Sequence, residues 1–337
     1  MTEQALYFTG ERSVEHRPID IGGPDPGELL VQTTVSAISS GTELLVYRGN
    51  VPSGMCIDTS IDALEGDFSF PLRYGYAAVG TVQAVGTDVD DGWIGKRVFA
   101  FVPHQSQFTV PPEEVTVLPE DVSPEHGSLL PTVETATNLV LDAAPAIGER
   151  VVVFGAGPIG LTTTCLLASF PLSELVVVEP VERRRELARS FGADIAIDPS
   201  NATAYFDDCT PSGADLALEV TGRPEVLNDA IATVGYDGRI VVGSWYGTKR
   251  APINLGQSFH RDDVTIQSSQ VSRIAPERRG RWSTDRRLST ALDHLQELDA
   301  DTLISRRIGF ERAPEAYRLL DRDSDGTVQI VLTYDRS

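Results

Sequence analysis

The pattern of hydrophobic and polar positions changes near residue 125. Before that point, runs rich in β-branched and aromatic residues, at 29–35, 78–85 and 97–102, are separated by glycine, proline and aspartate. This pattern predicts strands joined by turns. Beyond it, short apolar runs alternate with helical patterns; the runs lie at 151–154, 175–178, 195–197, 216–218 and 240–242. Strands that alternate with helices predict βαβ units and a parallel sheet.

Helices are predicted from the turn after residue 154 to Phe170, from Glu182 to Phe191, and near Pro224 to Val234. After Ile266 the alternation stops, leaving a helix from Thr284 to Leu298 and a closing strand at 328–332. That tail is too short for a core of its own, so we expect it to pack on the first domain. The predicted fold class is α/β, with one domain at 1–125 and 271–337 and a second at 126–270.

The length of the chain indicates the number of domains, and its charge excludes some classes of partner. A chain of 337 residues exceeds the usual size of a single core, which favours two domains. Asp and Glu total 49 against 28 Lys and Arg, a net charge of −21, which disfavours nucleic acid and anionic membrane surfaces as partners. Only Lys96 and Lys249 are lysines. This composition indicates a protein adapted to a salt-rich cytoplasm, although an ordinary acidic protein could share it.

The cysteines and the N-terminus give little indication of a special site. Cys56, Cys165 and Cys209 are widely spaced, so we expect neither a disulfide framework nor a four-cysteine zinc lobe. The N-terminal residues contain early acids and no apolar core, unlike a signal peptide. The most apolar stretch, around 151–170, is interrupted by glycines and is therefore not expected to span a membrane. We expect a cytoplasmic protein.

A GxGxxG motif follows the predicted strand at 151–154 and begins a helix. Its residues are Gly155, Gly157, Pro158, Ile159 and Gly160. The first glycine permits a tight turn, the second lets a pyrophosphate approach the backbone, and the third allows close helix–strand packing. The free N–H groups at the start of the helix favour phosphate. A glycine-rich packing turn is the alternative interpretation.

An acid at the end of the next strand favours NAD. Glu179 lies 19 residues after Gly160 and could accept hydrogen bonds from the adenosine ribose hydroxyls. A 2′-phosphate 4 Å away would be repelled by about 4 kcal/mol at an effective dielectric constant of 20. Arg183 and Arg184 follow closely and could bind a phosphate, or be surface charges, so NADP is not excluded.

The chain resembles the medium-chain dehydrogenase/reductase superfamily over essentially its whole length. The matching motifs occur in the family's order: GELLV at 27–31, SGTE at 40–43, GYAAVG at 75–80, GKRV at 95–98 and GERVVV at 148–153. A weaker resemblance links ISSGTE at 38–43 to the branch of bacteriochlorophyllide-type hydroxyethyl dehydrogenases. The resemblance implies a GroES-like, β-rich catalytic domain and a Rossmann domain with a doubly wound parallel sheet.

The resemblance also places a zinc site where this chain lacks zinc ligands. Ser40 stands at the cysteine, Tyr76 at the histidine, and Leu130 or Pro131 near the third ligand. None of them is a good ligand for tetrahedral zinc, so we predict a zinc-free member. Thr42 occupies the family's proton-relaying hydroxyl position, and Tyr76 and Ser40 are further candidate donors. Each could instead be structural.

Further site residues follow from the resemblance. Glu134 could be a general base, or an acid at a helix N-terminus. Glu43 could also be catalytic, but the family's acid at this position more often orients neighbouring groups. His104 could relay protons at neutral pH, although we expect an exposed loop histidine. The cofactor side is expected to include Thr135, Thr221, Gly243 and Ser244. A small-molecule substrate and a homodimer or homotetramer are expected.

The resulting prediction is hydride transfer between NAD(H) and an alcohol or carbonyl carbon in an interdomain cleft, without zinc. Two alternatives stay open. One is an NAD(P)H-dependent quinone or enoyl reductase. The other is a non-catalytic dinucleotide-binding sensor or partner-binding protein.

Overall fold

The computed structural model describes residues 3–52, 54–58, 61–322 and 326–334. The strands are β1 Gln4–Gly10, β2 Ser13–Pro18, β3 Leu29–Ile38, β4 Leu72–Arg73, β5 Ala78–Val85, β6 Arg97–Ala100, β7 Gln107–Val110, β8 Val115–Val117, β9 Arg150–Phe154, β10 Glu174–Val178, β11 Ile195–Ile197, β12 Ala214–Glu219, β13 Val234–Val242, β14 Thr265–Ser268, β15 Ile304–Gly309 and β16 Gln329–Thr333. The helices are α1 Thr42–Tyr47, α2 Pro124–Gly127, α3 Leu130–Ala143, α4 Pro158–Leu167, α5 Glu182–Ser190, α6 Pro199–Asp207, α7 Val226–Thr233, α8 Ser258–Arg261, α9 Thr284–Glu297, α10 Ala300–Leu303 and α11 Ala313–Arg322.

The chain folds into two compact units. The first comprises Met1–Pro131 and Asp299–Ser337, and the second Thr132–Leu298. The chain therefore returns to the first unit at Asp299 rather than at residue 271 as the sequence suggested. The reason is α9, which buries Arg287, Ala291 and Leu295 and carries an ion pair from Arg287 to Glu134 of the second unit.

The first unit is rich in strands. One sheet has the order β15-β16-β3-β5-β6-β8, with β7 also paired to β3, and a smaller sheet has the order β2-β1-β4. Most of the pairs are antiparallel, but β15 and β16 are parallel. The closing strand β16 pairs with β3 of the first unit, as expected of the tail. The helix of that tail, α9, instead belongs to the second unit.

The second unit is built on a parallel sheet with the order β11-β10-β9-β12-β13-β14. Its central strands are nearly continuous runs of Val, Ile, Leu and Ala because helices cover both faces of such a sheet. The register aligns Phe154, Glu219, Val242 and Ser268, so β9, β12, β13 and β14 end at one edge. Ligands of open α/β sheets bind outside this carboxyl edge.

The α/β fold class with a Rossmann-type sheet is confirmed. The parallel sheet gains an edge strand, β14, which continues the alternation through Ile266 to Ser268. No helix in the described ranges is both long and apolar enough to cross a membrane.

Candidate active site

The glycine-rich loop connects β9 to α4, and its three glycines serve three different needs. Gly155 has φ +101°, which favours glycine. A Cβ on Gly160 would lie 1.9 Å from the Gly155 carbonyl oxygen, so only glycine lets the helix pack this closely. A Cβ on Gly157 would meet no atom within 4 Å. The space beside Gly157 is therefore open, as a bound pyrophosphate requires.

The start of α4 completes this loop. Gly157 is the residue before the helix, and Pro158 occupies the first turn, followed by Ile159, which is half-buried. Proline is tolerated there because the first N–H groups of a helix have no intrahelical partner. The remaining free N–H groups and the positive end of the helix dipole suit an anion. These residues fit the pyrophosphate of a dinucleotide.

Glu179 joins two loops at the carboxyl edge of the sheet. Its Oε2 accepts a hydrogen bond from the Ala156 N–H at 2.8 Å, and its Oε1 accepts one from the Val181 N–H at 3.0 Å. The carboxylate is buried, with 4% exposure, directly behind the glycine-rich loop. Each of its oxygens can accept further bonds, so the predicted ribose contact is compatible with this arrangement. Arg184 is half-buried on α5.

A second buried carboxylate holds the loops that follow β12 and β13. Glu219 Oε1 accepts from the Thr221 N–H at 2.7 Å and from the Thr221 hydroxyl, and its Oε2 accepts from the Tyr246 hydroxyl at 2.5 Å. The Gly222 N–H donates to Ser244 Oγ at 2.8 Å. Burial and the Glu219 carboxylate raise the pKa of Tyr246.

This second cluster lies against the glycine-rich loop. The Thr221 side chain is 3.1 Å from where a Gly155 Cβ would be, and a Gly243 Cβ would contact Leu139 and Val220 at 3.2 Å. The structure thus brings three predicted cofactor residues, Thr221, Gly243 and Ser244, to the same edge. Sequence reasoning missed Glu219 and Tyr246. Glu219 could have been found from the sequence, because it is an acid at the end of an apolar strand, as Glu179 is.

Glu134 lies in α3 and has a partner that the sequence did not reveal. Arg287 of α9 donates to Glu134 Oε1 from Nε at 3.1 Å and from Nη2 at 2.8 Å, and to Asn138 Oδ1 from Nη1 at 2.7 Å. Burial raises the pKa of Glu134, and Arg287 opposes that shift. A carboxylate engaged by this guanidinium is poorly placed to take a substrate proton. We reassign Glu134 to positioning α3, whose next residue, Thr135, is half-buried.

Three hydroxyl groups meet in the first unit. Tyr76 lies before β5, and its phenol is hydrogen-bonded to the side chains of Ser39 and Thr42. Burial, chiefly, and the nearby Glu43 raise the pKa of Tyr76 to about 12. The structure thus joins Thr42 and Tyr76, as predicted, and adds Ser39, which the sequence analysis did not select. Ser40 is half-buried in the turn before α1.

Glu43 is hydrogen-bonded to the backbone of Ser39, one of the three residues of this hydroxyl cluster. Its Oε1 accepts from the Ser39 N–H at 2.8 Å, and its Oε2 lies 3.0 Å from His104 Nε2 and accepts from the Tyr317 hydroxyl. The other ring nitrogen of His104 lies 2.7 Å from Ser36 Oγ. His104 has 0% exposure, so the expectation of an exposed loop histidine is wrong. Its ring packs on Gly75, where a Cβ would lie 2.5 Å from it.

Comparisons with known proteins agree with this arrangement. A family model described as zinc-binding dehydrogenase matches residues 158–291. L-threonine 3-dehydrogenase of Pyrococcus abyssi is 25% identical over 93% of this chain and 94% of its own length. The solved structure of 2R,3R-butanediol dehydrogenase from Bacillus subtilis aligns with a TM-score of 0.82 and 23% identity, over 99% of this chain and 100% of that one. These matches support the medium-chain dehydrogenase/reductase superfamily that the sequence resembles.

A further member of known structure shows the fold with a ligand. The alcohol dehydrogenase from Escherichia coli CFT073, solved with NADH, aligns with a TM-score of 0.79 and 19% identity, over 99% of this chain and 100% of that one. The members found here are dehydrogenases, and the likeness extends over both units of the chain.

The zinc site of this dehydrogenase superfamily does not fit the residues of this chain. Two ligand positions carry the hydroxyls of Ser40 and Tyr76, and the third falls near Leu130 or Pro131. Neutral hydroxyls and aliphatic groups are poor ligands for tetrahedral zinc. Across the described residues, no group of three or more His, Cys, Asp and Glu is placed to hold a metal ion. We therefore derive no step through zinc.

Proposed function

We propose that this protein is a zinc-independent oxidoreductase that transfers hydride between NAD(H) and an alcohol or carbonyl carbon. The observation that carries the proposal is the open space at Gly157, bordered by the start of α4 and by the buried Glu179.

Several residues of the second unit would hold the cofactor. The α4 N-terminus and the backbone at Gly155 and Gly157 suit the pyrophosphate, and Glu179 suits the ribose hydroxyls. The loops at Thr221 and Ser244 suit the nicotinamide half because they follow β12 and β13 at the same edge. When bound, the nicotinamide supplies or accepts the hydride.

The hydroxyl cluster would polarise the substrate oxygen in place of a metal. In the proposed arrangement, the Ser39 and Thr42 hydroxyls, which are hydrogen-bonded to Tyr76, donate to its phenol oxygen, so that the Tyr76 O–H donates to the substrate oxygen. A pKa of about 12 keeps Tyr76 protonated at neutral pH. Donors that polarise one another in a buried site act more strongly than in water. Removing one such donor typically costs about 2.7–4 kcal/mol of transition-state stabilisation.

The first experiment is a fluorescence titration with NADH and NADPH in molar KCl. We expect tight NADH binding and weaker NADPH binding, because Glu179 repels a 2′-phosphate. A preference for NADPH would shift the proposal to a quinone or enoyl reductase. If the protein binds neither cofactor, the proposed oxidoreductase activity is refuted.

The second experiment tests the catalytic assignment with any alcohol or carbonyl that the wild type turns over. Tyr76→Phe should lower kcat about 100-fold or more, with the Kd for NADH unchanged. Tyr236→Phe is the matched control, because Tyr236 is 78% exposed. Unchanged turnover in both Tyr76→Phe and Thr42→Ala would remove the hydroxyl cluster from the mechanism.

A further inference from the structure

An arginine-rich segment follows the last strand of the parallel sheet. Residues 271–287, the arginine segment, contain six arginines and two acids, in a chain whose net charge is −21. The arginines are Arg273, Arg278, Arg279, Arg281, Arg286 and Arg287. Arg287 pairs with Glu134, and the other five arginines take no part in the proposed hydride transfer.

Among the residues that the structure describes, these five arginines have no acidic partner. Arg287 is the one arginine of the segment that forms an ion pair among the described residues. Arg279 Nε donates to the Ile274 carbonyl, and Arg286 donates to the Arg281 carbonyl and lies 4.3 Å from the Trp282 ring centroid. Arg278 Nε is buried without a hydrogen-bond partner in the described structure. In so acidic a chain, five arginines within 14 residues that lack a carboxylate partner in the described structure indicate an external anion.

The segment is joined to α3 at its start and at its end. At its start, Ser269 accepts from Asn138 Nδ2 at 3.0 Å and donates to Asp142 at 2.6 Å. At its end, Arg287 binds Glu134 and Asn138. Both ends are therefore tied to α3, at residues between Glu134 and Asp142. The preceding residue Ser268 ends β14 in register with Val242, at the carboxyl edge of the sheet.

We propose that the arginine segment binds the phosphate or carboxylate group of an anionic substrate. This inference rests on the proposed hydride transfer, and it names the class of molecule that undergoes it. Planar guanidinium groups bind both kinds of oxyanion through paired N–H donors.

The test uses inorganic phosphate and acetate as probes. Each is titrated calorimetrically into the NADH-saturated protein at constant KCl. The triple variant Arg273→Gln, Arg278→Gln and Arg281→Gln removes three guanidinium groups with no acidic partner in the described structure. The matched control, Arg261→Gln, Arg312→Gln and Arg318→Gln, removes the same charge from exposed positions elsewhere. Comparable melting temperatures show that both variants fold.

We expect the wild type to bind one of the two probes, and the anion bound distinguishes a phosphate from a carboxylate. The triple variant should raise the Kd of that probe at least tenfold, and the control should change it less than twofold. Equal affinity in the wild type and the triple variant would overturn the proposal, as would the absence of binding to either anion. The protein could also bind a short single-stranded oligonucleotide through these arginines while binding neither small anion. That result would overturn the proposal of an anionic substrate and indicate a nucleic-acid ligand.

A turnover comparison separates this inference from the proposed function. Glycerol 3-phosphate with glycerol, and 3-hydroxybutyrate with 2-butanol, are pairs that differ in the anionic group. The triple variant should lower the preference in kcat/KM for the anionic member at least tenfold, with unchanged NADH affinity. If NADH does not bind the wild type, the proposed function fails, and anion titration of the cofactor-free protein still tests the arginine segment.

Discussion

Removal of Arg287 should destabilise the second unit strongly. The Arg287 side chain is 3% exposed and that of Glu134 is 10% exposed, so Arg287→Ala leaves a buried carboxyl without its partner. Breaking a buried ion pair in this way costs about 3–5 kcal/mol. At about 2–4 °C per kcal/mol for a domain of this size, the melting temperature should fall by about 6–20 °C.

The loss should depend on pH. Burial raises the pKa of Glu134 and Arg287 opposes this, so the pKa rises further when Arg287 is absent. A carboxyl group whose pKa is higher in the folded than in the unfolded state destabilises the fold at high pH. That penalty disappears as the pH falls below the folded pKa, because the neutral acid needs no counter-charge. The deficit of Arg287→Ala should therefore be largest at pH 8 and smaller at pH 5.

Scanning calorimetry at constant KCl measures this effect, with Arg261→Ala as the control because Arg261 is exposed. The double variant Glu134→Gln, Arg287→Ala should recover part of the loss at pH 8, since neither charge then stays buried. A fall of less than 2 °C, or the same loss at both pH values, would refute the assignment of Glu134 and Arg287 as a stabilising buried pair.

Three further predictions concern the cofactor site and the surface. Gly157→Ala should keep its melting temperature and weaken NADH binding, because its Cβ enters open space; Gly160→Ala should instead lower the melting temperature, because its Cβ would lie 1.9 Å from a carbonyl oxygen. Equal stability in the two variants would contradict this distinction. Glu219→Gln should weaken NADH binding by about 1–3 kcal/mol, as it loosens the loops at Thr221 and Tyr246, and a Kd within twofold of wild type would argue against this role. Finally, the melting temperature should rise from low to molar KCl as salt screens the charge of −21; a salt-independent value would contradict the halophilic interpretation.

Much of the second unit was predictable because its information is local. An apolar run, three glycines at fixed spacing and a following helix specify a βα turn wherever they occur. The predicted strand at 195–197 has its observed bounds, and that at 175–178 differs by one residue. The edge strand β14 was harder to predict, since Thr265–Ser268 is short and three of its four residues are exposed or polar.

The partners of buried charges could not be read from the sequence. Arg287 lies 153 positions from Glu134, and Tyr317 lies 274 positions from Glu43. Arg287 belongs to a run of arginines in which its sequence context differs little from that of Arg286, yet one is buried and the other exposed. His104 likewise follows a proline in a polar stretch typical of a surface loop, and the fold buries it completely.

The sequence by itself determined the parallel sheet and the dinucleotide motif, because each depends on residue type at short spacing; the absence of zinc ligands stays a prediction. Only the tertiary structure decided that Glu134 is paired, that Ser39 joins Thr42 and Tyr76, and that five arginines lack acidic partners among the described residues. Those outcomes depend on which side chains meet after distant segments pack. The cost of burying a charge then determines which partners must be present.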